Sequence, residues 1–193
     1  RRLIYVSTTG VYGDHRGAKV SELTPVNPQS ERAQRRVDAE RALRLWGPVH
    51  GIAVTILRVP GIYAANRLPL ERLQSQTPAL LPEEDAYSNH IHSDDLARLV
   101  CAAVYHGKPQ RVINACDGNE TKMGDYFDEV ADAFGLARAP RMPAAQLQEI
   151  VSPMLWSFMR ESRRVTNTRL SELKTPLRYP SVAEFLKTIS KNP

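Results

Sequence analysis

Three hydroxyl side chains and two arginines have the residue types and the spacing to do chemistry in this sequence. Ser7, Thr8 and Thr9 follow one another in the segment S-T-T-G-V-Y-G-D. Any of them could hydrogen-bond a substrate oxygen, although hydroxyls in such segments usually satisfy turn backbone. Arg32 and Arg36 lie one helical turn apart in P-Q-S-E-R-A-Q-R-R-V-D-A-E, where like charges repel by a few tenths of a kcal/mol. A guanidinium donates hydrogen bonds but keeps its proton, so this pair could bind a substrate oxygen and could not shuttle a proton.

The elements that must position these residues follow from the hydrophobic pattern. Residues 3–7 (L-I-Y-V-S) and 52–59 (I-A-V-T-I-L-R-V) are short apolar runs, which predict two buried strands. Between them, Asn27 and Pro28 predict the start of a helix, and a Gly-Pro pair predicts its end near Trp46. A strand, a helix and a strand in this order predict a right-handed parallel unit of an α/β sheet. Ligands of such sheets bind beyond the carboxyl ends of the strands, where the three hydroxyls lie.

The predicted helix has an apolar stripe, and further elements follow it. The stripe is predicted to comprise Ala33, Val37, Ala42 or Leu43, and Trp46, with Glu40 left on the exposed side among the arginines. The later predicted elements are helices at 68–75, 94–106, 121–135, 143–160 and 181–190, a strand at 111–115, and a short helix within the polar segment 162–173.

The composition restricts the class of protein. The chain has 193 residues, of which 42% are hydrophobic and 24% charged, as in a soluble globular domain. The net charge is +5, but acidic residues are mixed in throughout, which favours a solvated surface over binding to nucleic acid. No apolar run approaches the roughly 18 residues of a membrane span. Cys101 and Cys116 fit no metal-ligand spacing, so we expect interior thiols and no metal site.

Five segments in a fixed order resemble one family. In chain order the segments are S-T-T-G-V-Y-G-D, P-Q-S followed by R-V-D-A-E, I-L-R-V-P-G-I-Y, H-I-H-S-D-D-L-A and V-I-N-A-C-D-G. Together they resemble the NAD-dependent epimerase/dehydratase branch of the extended short-chain dehydrogenase/reductases. The resemblance covers almost the whole chain. It implies an α/β fold: the C-terminal portion of a Rossmann-like doubly wound parallel sheet, with a small, mostly helical substrate subdomain. Residues 1–63 and 94–116 would form the Rossmann-like part, and residues 64–93 and 117–193 the substrate-binding subdomain.

The resemblance also assigns catalytic positions. Thr8, four residues before Tyr12, matches the catalytic Ser or Thr of the family. Counted back from Glu40, the family's Tyr-x-x-x-Lys pair falls on Arg32 and Arg36. Arg36 could hold ribose hydroxyls as the lysine does, and Arg32 could bind substrate without acting as the acid or base. The alternative is that both arginines face solvent on a redirected helix.

Cofactor and substrate contacts are implied in the same way. The cofactor would be NAD or NADP, with contacts from Ser7, Thr8, Arg36, Pro60, Gly61 and Ile62. The substrate would be a small molecule such as a nucleotide sugar, with contacts from Thr9, Arg67, His92 and Arg163. For His92 the alternative is a structural hydrogen bond, and for the arginines a solvated surface position.

One family feature is missing from this chain. The G-x-x-G-x-x-G turn that cradles the pyrophosphate is absent, so the resemblance begins about halfway through the family's Rossmann domain. The first strand is therefore expected to leave an open sheet edge, which a missing N-terminal half or a second copy in a homodimer would cover. We expect this chain alone to bind NAD weakly or not at all, and we expect a cytoplasmic protein.

Three hypotheses about function follow. The first is an NAD(P)-dependent oxidoreductase acting on a nucleotide sugar or a related carbonyl or hydroxyl substrate. The second is a non-catalytic NAD(P)-binding sensor or interaction module of the same fold, suggested by the missing tyrosine and lysine. The third, a basic domain that binds nucleic acid, is disfavoured because its arginines lack the interleaved aromatic residues of single-strand binding surfaces.

Overall fold

The computed structural model describes residues 1–189 of the chain. Within them the strands are β1 (Arg2–Thr8), β2 (Lys19–Val20), β3 (Ala53–Val59), β4 (Gly61–Tyr63), β5 (Ala79–Leu80), β6 (Tyr87–Ser88), β7 (His90–His92), β8 (Arg111–Asn114), β9 (Thr121–Lys122), β10 (Arg141–Met142) and β11 (Arg164–Val165). The helices are α1 (Glu31–Val49), α2 (Leu70–Gln74), α3 (Ser93–His106), α4 (Met123–Ala133), α5 (Ala144–Ile150), α6 (Pro153–Met159) and α7 (Val182–Ile189). The last helix was predicted to end at residue 190, which lies outside the described residues.

A parallel sheet in the order β1-β3-β8 carries the candidate site. Its register places Ser7 opposite Arg58 and Arg58 opposite Asn114, so the carboxyl ends of the three strands are level. α1 covers one face of this sheet and α3 covers the other, as in a doubly wound α/β fold. The predicted parallel strand–helix–strand unit is therefore confirmed. Among the described residues β1 lies at the edge of this sheet.

Side-chain alternation decides which residues face each helix. Leu3 and Ile56 face α1, whereas Ile4 and Leu57 belong to the cluster packed against α3. Arg58, two residues after Ile56, therefore points towards α1 although it lies in an apolar strand. Because of this alternation, the buried Arg58 guanidinium lies beneath α1, the helix that carries Arg32 and Arg36.

Both predicted ends of α1 were wrong. The helix starts after Ser30, whose Oγ accepts a hydrogen bond from the Ala33 amide at 3.3 Å, while the Asn27 amide bonds the Val11 carbonyl instead. It continues through Gly47 and Pro48 to Val49. A proline this late interrupts only the final turn, and the His50 amide closes that turn on the carbonyls of residues 46 and 47.

The predicted buried stripe of α1 also needs correction. Glu40 is only 4% exposed, because Arg58 in β3 provides it with a buried partner. Trp46 is 40% exposed and stacks on His50 with ring centroids 4.7 Å apart. Ala33 and Val37 are buried as predicted.

Two further predictions differ from the structure. The single helix predicted at 143–160 is divided into α5 and α6, because Pro153 disfavours a helical Ser152, which instead caps α6 by accepting from the Leu155 amide at 3.2 Å. Cys101, predicted to be interior, is exposed on α3, and Cys116 is buried as predicted.

The helical part of the chain has its own core. This core contains Tyr63 and Leu73, which pack with Phe127 of α4 and Phe185 of α7. None of the helices within residues 1–189 combines the length and apolar character needed to cross a lipid bilayer.

Candidate active site

A cleft of about 350 Å³ opens at the carboxyl ends of β1 and β3. This is the place where open α/β sheets bind their ligands. β1, α1, the end of β3 and the segment from α6 onward all contribute to its lining: Thr8, Thr9, Gly10, Ser30, Arg32, Ala33, Arg36, Pro60, Gly61, Phe158, Glu161 and Arg163. Seven of the residues predicted from sequence to form a site thus lie around one space, namely Thr8, Thr9, Arg32, Arg36, Pro60, Gly61 and Arg163.

A second pocket of about 180 Å³ adjoins the cleft. Both spaces share Thr9, Pro60, Gly61, Phe158, Glu161 and Arg163. The second pocket is also lined by residues of β6, β7, the residue between them and α4: Tyr87, Ser88, Asn89, His90 and Met123. Arg32 and Arg36 on α1 line the cleft and not the second pocket, so the cleft is the more positively charged of the two spaces.

Thr8 is placed to donate a hydrogen bond into the cleft. Its Oγ1 accepts a hydrogen bond from the Gly10 amide at 3.1 Å, which fixes the side chain at the start of the 3₁₀ turn Thr9–Tyr12. A hydroxyl also carries one donor, and within residues 1–189 the Thr8 donor has no acceptor. The donor is therefore available to a bound oxygen.

Ser7 lies beneath the cleft and outside its lining. Its Oγ donates to Glu40 Oε1 at 2.6 Å. Arg58 donates to both oxygens of the same carboxylate, from Nε at 3.1 Å and from Nη2 at 2.7 Å. The three side chains form a buried network that supports the end of β1, so the Ser7 hydroxyl is already engaged.

Arg32 and Arg36 both line the cleft and are both exposed to solvent. The Arg36 guanidinium donates from Nη1 to the Tyr5 hydroxyl at 3.1 Å. The Arg32 guanidinium lies over the ring of Phe158, with Cζ 4.2 Å from the ring centroid. The helix is therefore not redirected away from the cleft, and the two arginines have different partners, of which only Phe158 lines the cleft.

Arg163 joins the segment after α6 to the turn after β1. Its Nη1 donates to the Gly13 carbonyl at 2.9 Å and to Glu161 at 2.7 Å. Its buried Nε has no hydrogen-bond partner among the described residues.

Besides Ser7, three residues predicted to contact ligands lie outside the cleft lining. His92 packs against Tyr179 and Phe185 at 4.2 and 4.6 Å between ring centroids, and its Nδ1 accepts from the Asp94 amide at 3.2 Å. This is the structural hydrogen bond considered as the alternative for His92, and burial lowers the pKa of the imidazole. Ile62 packs towards α3, and Arg67 is exposed in the 3₁₀ turn Ala65–Arg67.

Two groups of residues were not predicted from the sequence. They are the Glu40–Arg58 pair beneath the cleft, and Phe158 and His90, which line the cleft or the pocket beside it. The Glu40–Arg58 pair could have been found from strand alternation, since Arg58 shares the parity of the residues that face α1. Phe158 and His90 gave no usable signal, because they lie in short elements whose positions depend on long-range packing.

Two half-buried groups beside the second pocket, His90 and Asp117, predict a characteristic pH dependence. Burial lowers the pKa of His90 from 6.5 to about 4 and raises the pKa of Asp117 from 3.8 to about 7. The histidine contribution to stability is complete above pH 6.5 and is lost as the pH falls towards 4. The aspartate contribution is complete below pH 3.8 and is lost as the pH rises towards 7. Between these limits the two slopes, each up to about 1.4 kcal/mol per pH unit, oppose one another.

Single substitutions should separate these slopes. Relative to the unmodified chain, Asp117→Asn should make the free energy of unfolding rise with pH between pH 4 and 6.5. His90→Asn should make it fall over the same interval. Urea unfolding at several pH values measures both effects. Identical pH profiles for the two variants would contradict the assignment.

The sequence and the fold of this chain are similar to those of known proteins. The model of the NAD dependent epimerase/dehydratase family matches residues 1–116. A conserved protein of unknown function from Silicibacter pomeroyi is similar to the chain with a TM-score of 0.84 and 31% identity; the match covers 100% of this chain and 66% of that one. The human epimerase family protein SDR39U1, solved with NADPH, has a TM-score of 0.82 at 17% identity, with 100% and 66% coverage, and shows the fold alone.

A relative found by sequence similarity is also named as an epimerase. The putative UDP-glucose 4-epimerase of Methanocaldococcus jannaschii is 23% identical over 146 residues, which are 69% of this chain and 47% of the relative. The chain spans about half the length of the curated relatives it matches.

Proposed function

The chain belongs to the NAD-dependent epimerase/dehydratase family, as its five ordered segments predict, and from this premise we propose that it forms the catalytic and substrate-binding part of an NAD(P)-dependent oxidoreductase. The substrate class is a nucleotide sugar or a related carbonyl or hydroxyl compound. The observation that carries the proposal is the single cleft that gathers Thr8, Arg32, Arg36 and Gly61 at the carboxyl ends of β1 and β3. We also propose that residues 64–93 and 117–193 form the substrate-binding subdomain, since three of their residues, Phe158, Glu161 and Arg163, line the cleft.

The residues of the cleft suit the nicotinamide-ribose end of a dinucleotide. Arg36 offers guanidinium donors to ribose hydroxyls, in the position of the family's lysine. Pro60 and Gly61 offer an accessible backbone at the end of β3. The pyrophosphate-binding glycine turn is not in this sequence, and we propose that residues outside it hold that end of the cofactor. When bound, NAD(P) supplies hydride transfer.

Each side chain has a role consistent with its hydrogen bonds. Thr8 donates to the substrate oxygen whose charge changes during hydride transfer, because its donor is unused within the described chain. Arg32 donates to the substrate and holds no transferable proton, so the acid or base is another group or water. Ser7, Glu40 and Arg58 position β1 from beneath and do not touch the substrate.

The edge of β1 supports a further part of the proposal. Val6 is 41% exposed there, and the strand has no neighbour on that side among the described residues. We propose that another part of the natural polypeptide, or a second copy in a homodimer, pairs with this edge.

The second candidate function is a non-catalytic NAD(P)-binding module. It is favoured by one observation: neither Arg32 nor Arg36 can act as an acid or base at physiological pH. It shares the cleft and the cofactor with the first proposal and differs only in turnover.

Turnover by the natural full-length polypeptide decides between the two functions. The polypeptide would be incubated with NAD or NADPH and a panel of nucleotide sugars, and followed by nicotinamide absorbance and by chromatography of the sugar. Thr8→Ala should lower kcat/KM by about 10²-fold, because a donor to the developing charge is lost. Thr8→Ser, which keeps the hydroxyl, should retain most of the activity. Cofactor binding without turnover would favour the module, and turnover insensitive to Thr8→Ala would contradict the role given to Thr8.

A further inference from the structure

Arg32 is an uncompensated cation in the wall of the cleft. Its sequence neighbour Glu31 pairs with Arg35 at 3.5 Å, and the cleft residue Glu161 pairs with Arg163 at 2.7 Å. No carboxylate within residues 1–189 lies at ion-pair distance from Arg32. The cleft lining therefore contains three guanidinium groups and one carboxylate, and that carboxylate is already occupied.

The contact with Phe158 fixes how this cation is presented. The guanidinium carbon lies 4.2 Å from the centroid of the Phe158 ring, a cation–π contact between α1 and α6. A phenyl ring attracts a cation through its π face and carries no charge, and within residues 1–189 no hydrogen bond engages the N–H donors of Arg32. Phe158 thus holds Arg32 in the cleft without neutralising its charge.

The chemistry around Arg32 selects an anion with two oxygens. The planar fork of N–H donors matches a carboxylate or a phosphate in a bidentate arrangement, which is stronger and more selective than a single neutral hydrogen bond. Thr8, Thr9 and Ser30 place hydroxyl groups along the same lining. Arg36 is less available, since its Nη1 already donates to Tyr5.

We propose that Arg32, in its cation–π contact with Phe158, is the receptor for a carboxylate that the substrate carries beside its reacting carbon. The substrate is then a sugar acid or another hydroxy or oxo acid, and a neutral hexose derivative is a poor ligand. This inference rests on the proposed function, since it uses the position of Arg32 in the catalytic cleft. The other source of an anion is a phosphate of the cofactor, which the test below distinguishes.

Calorimetric binding by the natural full-length polypeptide, saturated with NADPH, tests the inference. UDP-glucuronate and UDP-glucose serve as a matched pair, because they differ in a single carboxylate. The unmodified polypeptide should bind UDP-glucuronate about tenfold or more tightly than UDP-glucose, as one charge-assisted bidentate contact provides. Arg32→Gln should abolish this preference, because it should weaken the binding of UDP-glucuronate by about tenfold or more relative to that of UDP-glucose.

Control variants separate a specific contact from a general change of charge. Arg35→Gln removes the same charge from the same helix, outside the cleft lining, and should keep the preference. Phe158→Leu should reduce the preference by loosening the guanidinium, and Arg32→Lys should restore only part of it, because an ammonium lacks the planar fork.

The outcomes are distinct. Equal affinity for the two sugars, or binding of neither while NADPH is bound, would overturn the carboxylate receptor. A loss of NADPH affinity in Arg32→Gln, with NADH affinity and the sugar preference retained, would assign the arginine to the cofactor phosphate and overturn it as well. Absence of NADPH and NADH binding by the unmodified polypeptide would instead contradict the proposed function.

Discussion

Replacing Glu40 by alanine is expected to lower the free energy of unfolding by about 3–5 kcal/mol, because it leaves a buried guanidinium without its counter-charge. Glu40 and Arg58 are 4% and 5% exposed, and the carboxylate accepts three hydrogen bonds, two from Arg58 and one from Ser7. Urea denaturation followed by circular dichroism measures the change.

Two controls make this expectation specific. Glu31→Ala breaks an ion pair whose side chains are 93% and 72% exposed, and it should cost less than about 1 kcal/mol. Replacing both members of the buried pair, as Glu40→Leu with Arg58→Met, should recover most of the lost stability, since no unpaired charge remains. A Glu40→Ala effect no larger than that of Glu31→Ala would contradict a supporting role for the network.

Gly13→Ala is expected to destabilise the protein by about 3 kcal/mol or more and to disturb the cleft. Gly13 has φ 71° and ψ −163°, a conformation that essentially only glycine adopts. An added Cβ would lie 2.1 Å from the Asn27 carbonyl oxygen, which belongs to backbone and cannot rotate away. Backbone strain and overpacking of this kind each cost about 1–3 kcal/mol. The Gly13 carbonyl also accepts from Arg163, so the wall of the cleft should move with the turn.

Gly51→Ala is the matched control for this substitution. Gly51 also has a positive φ, 64°, but nothing lies within 4 Å of the position of its added Cβ. Only the backbone term should appear there, about 1–2 kcal/mol. Thermal unfolding of the two variants measures the difference, and equal destabilisation would show that the close approach to Asn27 does not matter.

The sheet could be predicted from the sequence because its determinants are local. Two apolar runs separated by a helical pattern fix the parallel unit, and side-chain alternation then fixes its two faces. The ends of α1 could not be predicted, since Asn27 and Ser30 are both acceptable caps and only a contact with Val11 removes Asn27 from the helix. Glu40 was misplaced because its burial depends on Arg58, a residue in another element.

The candidate site could be predicted where it depends on motif order, and not where it depends on packing. Thr8, Arg32 and Arg36 share one cleft because a strand end and the following helix meet there. Phe158 reaches the same cleft from a helix of seven residues, far along the chain, so no local pattern indicates it. His92 has the sequence context of a ligand contact and packs among aromatic side chains, where its imidazole stabilises the start of α3.

Titration of the natural full-length polypeptide with NADPH, followed by the fluorescence of the reduced nicotinamide, tests most directly whether this cleft is a dinucleotide site. We expect saturable binding, and Arg36→Ala should weaken it by about tenfold through the loss of a charged donor to the ribose. Arg35→Ala, one residue away and outside the lining of the cleft, should leave the affinity unchanged. Absence of NADPH and NADH binding, or an equal effect of the two substitutions, would contradict the account.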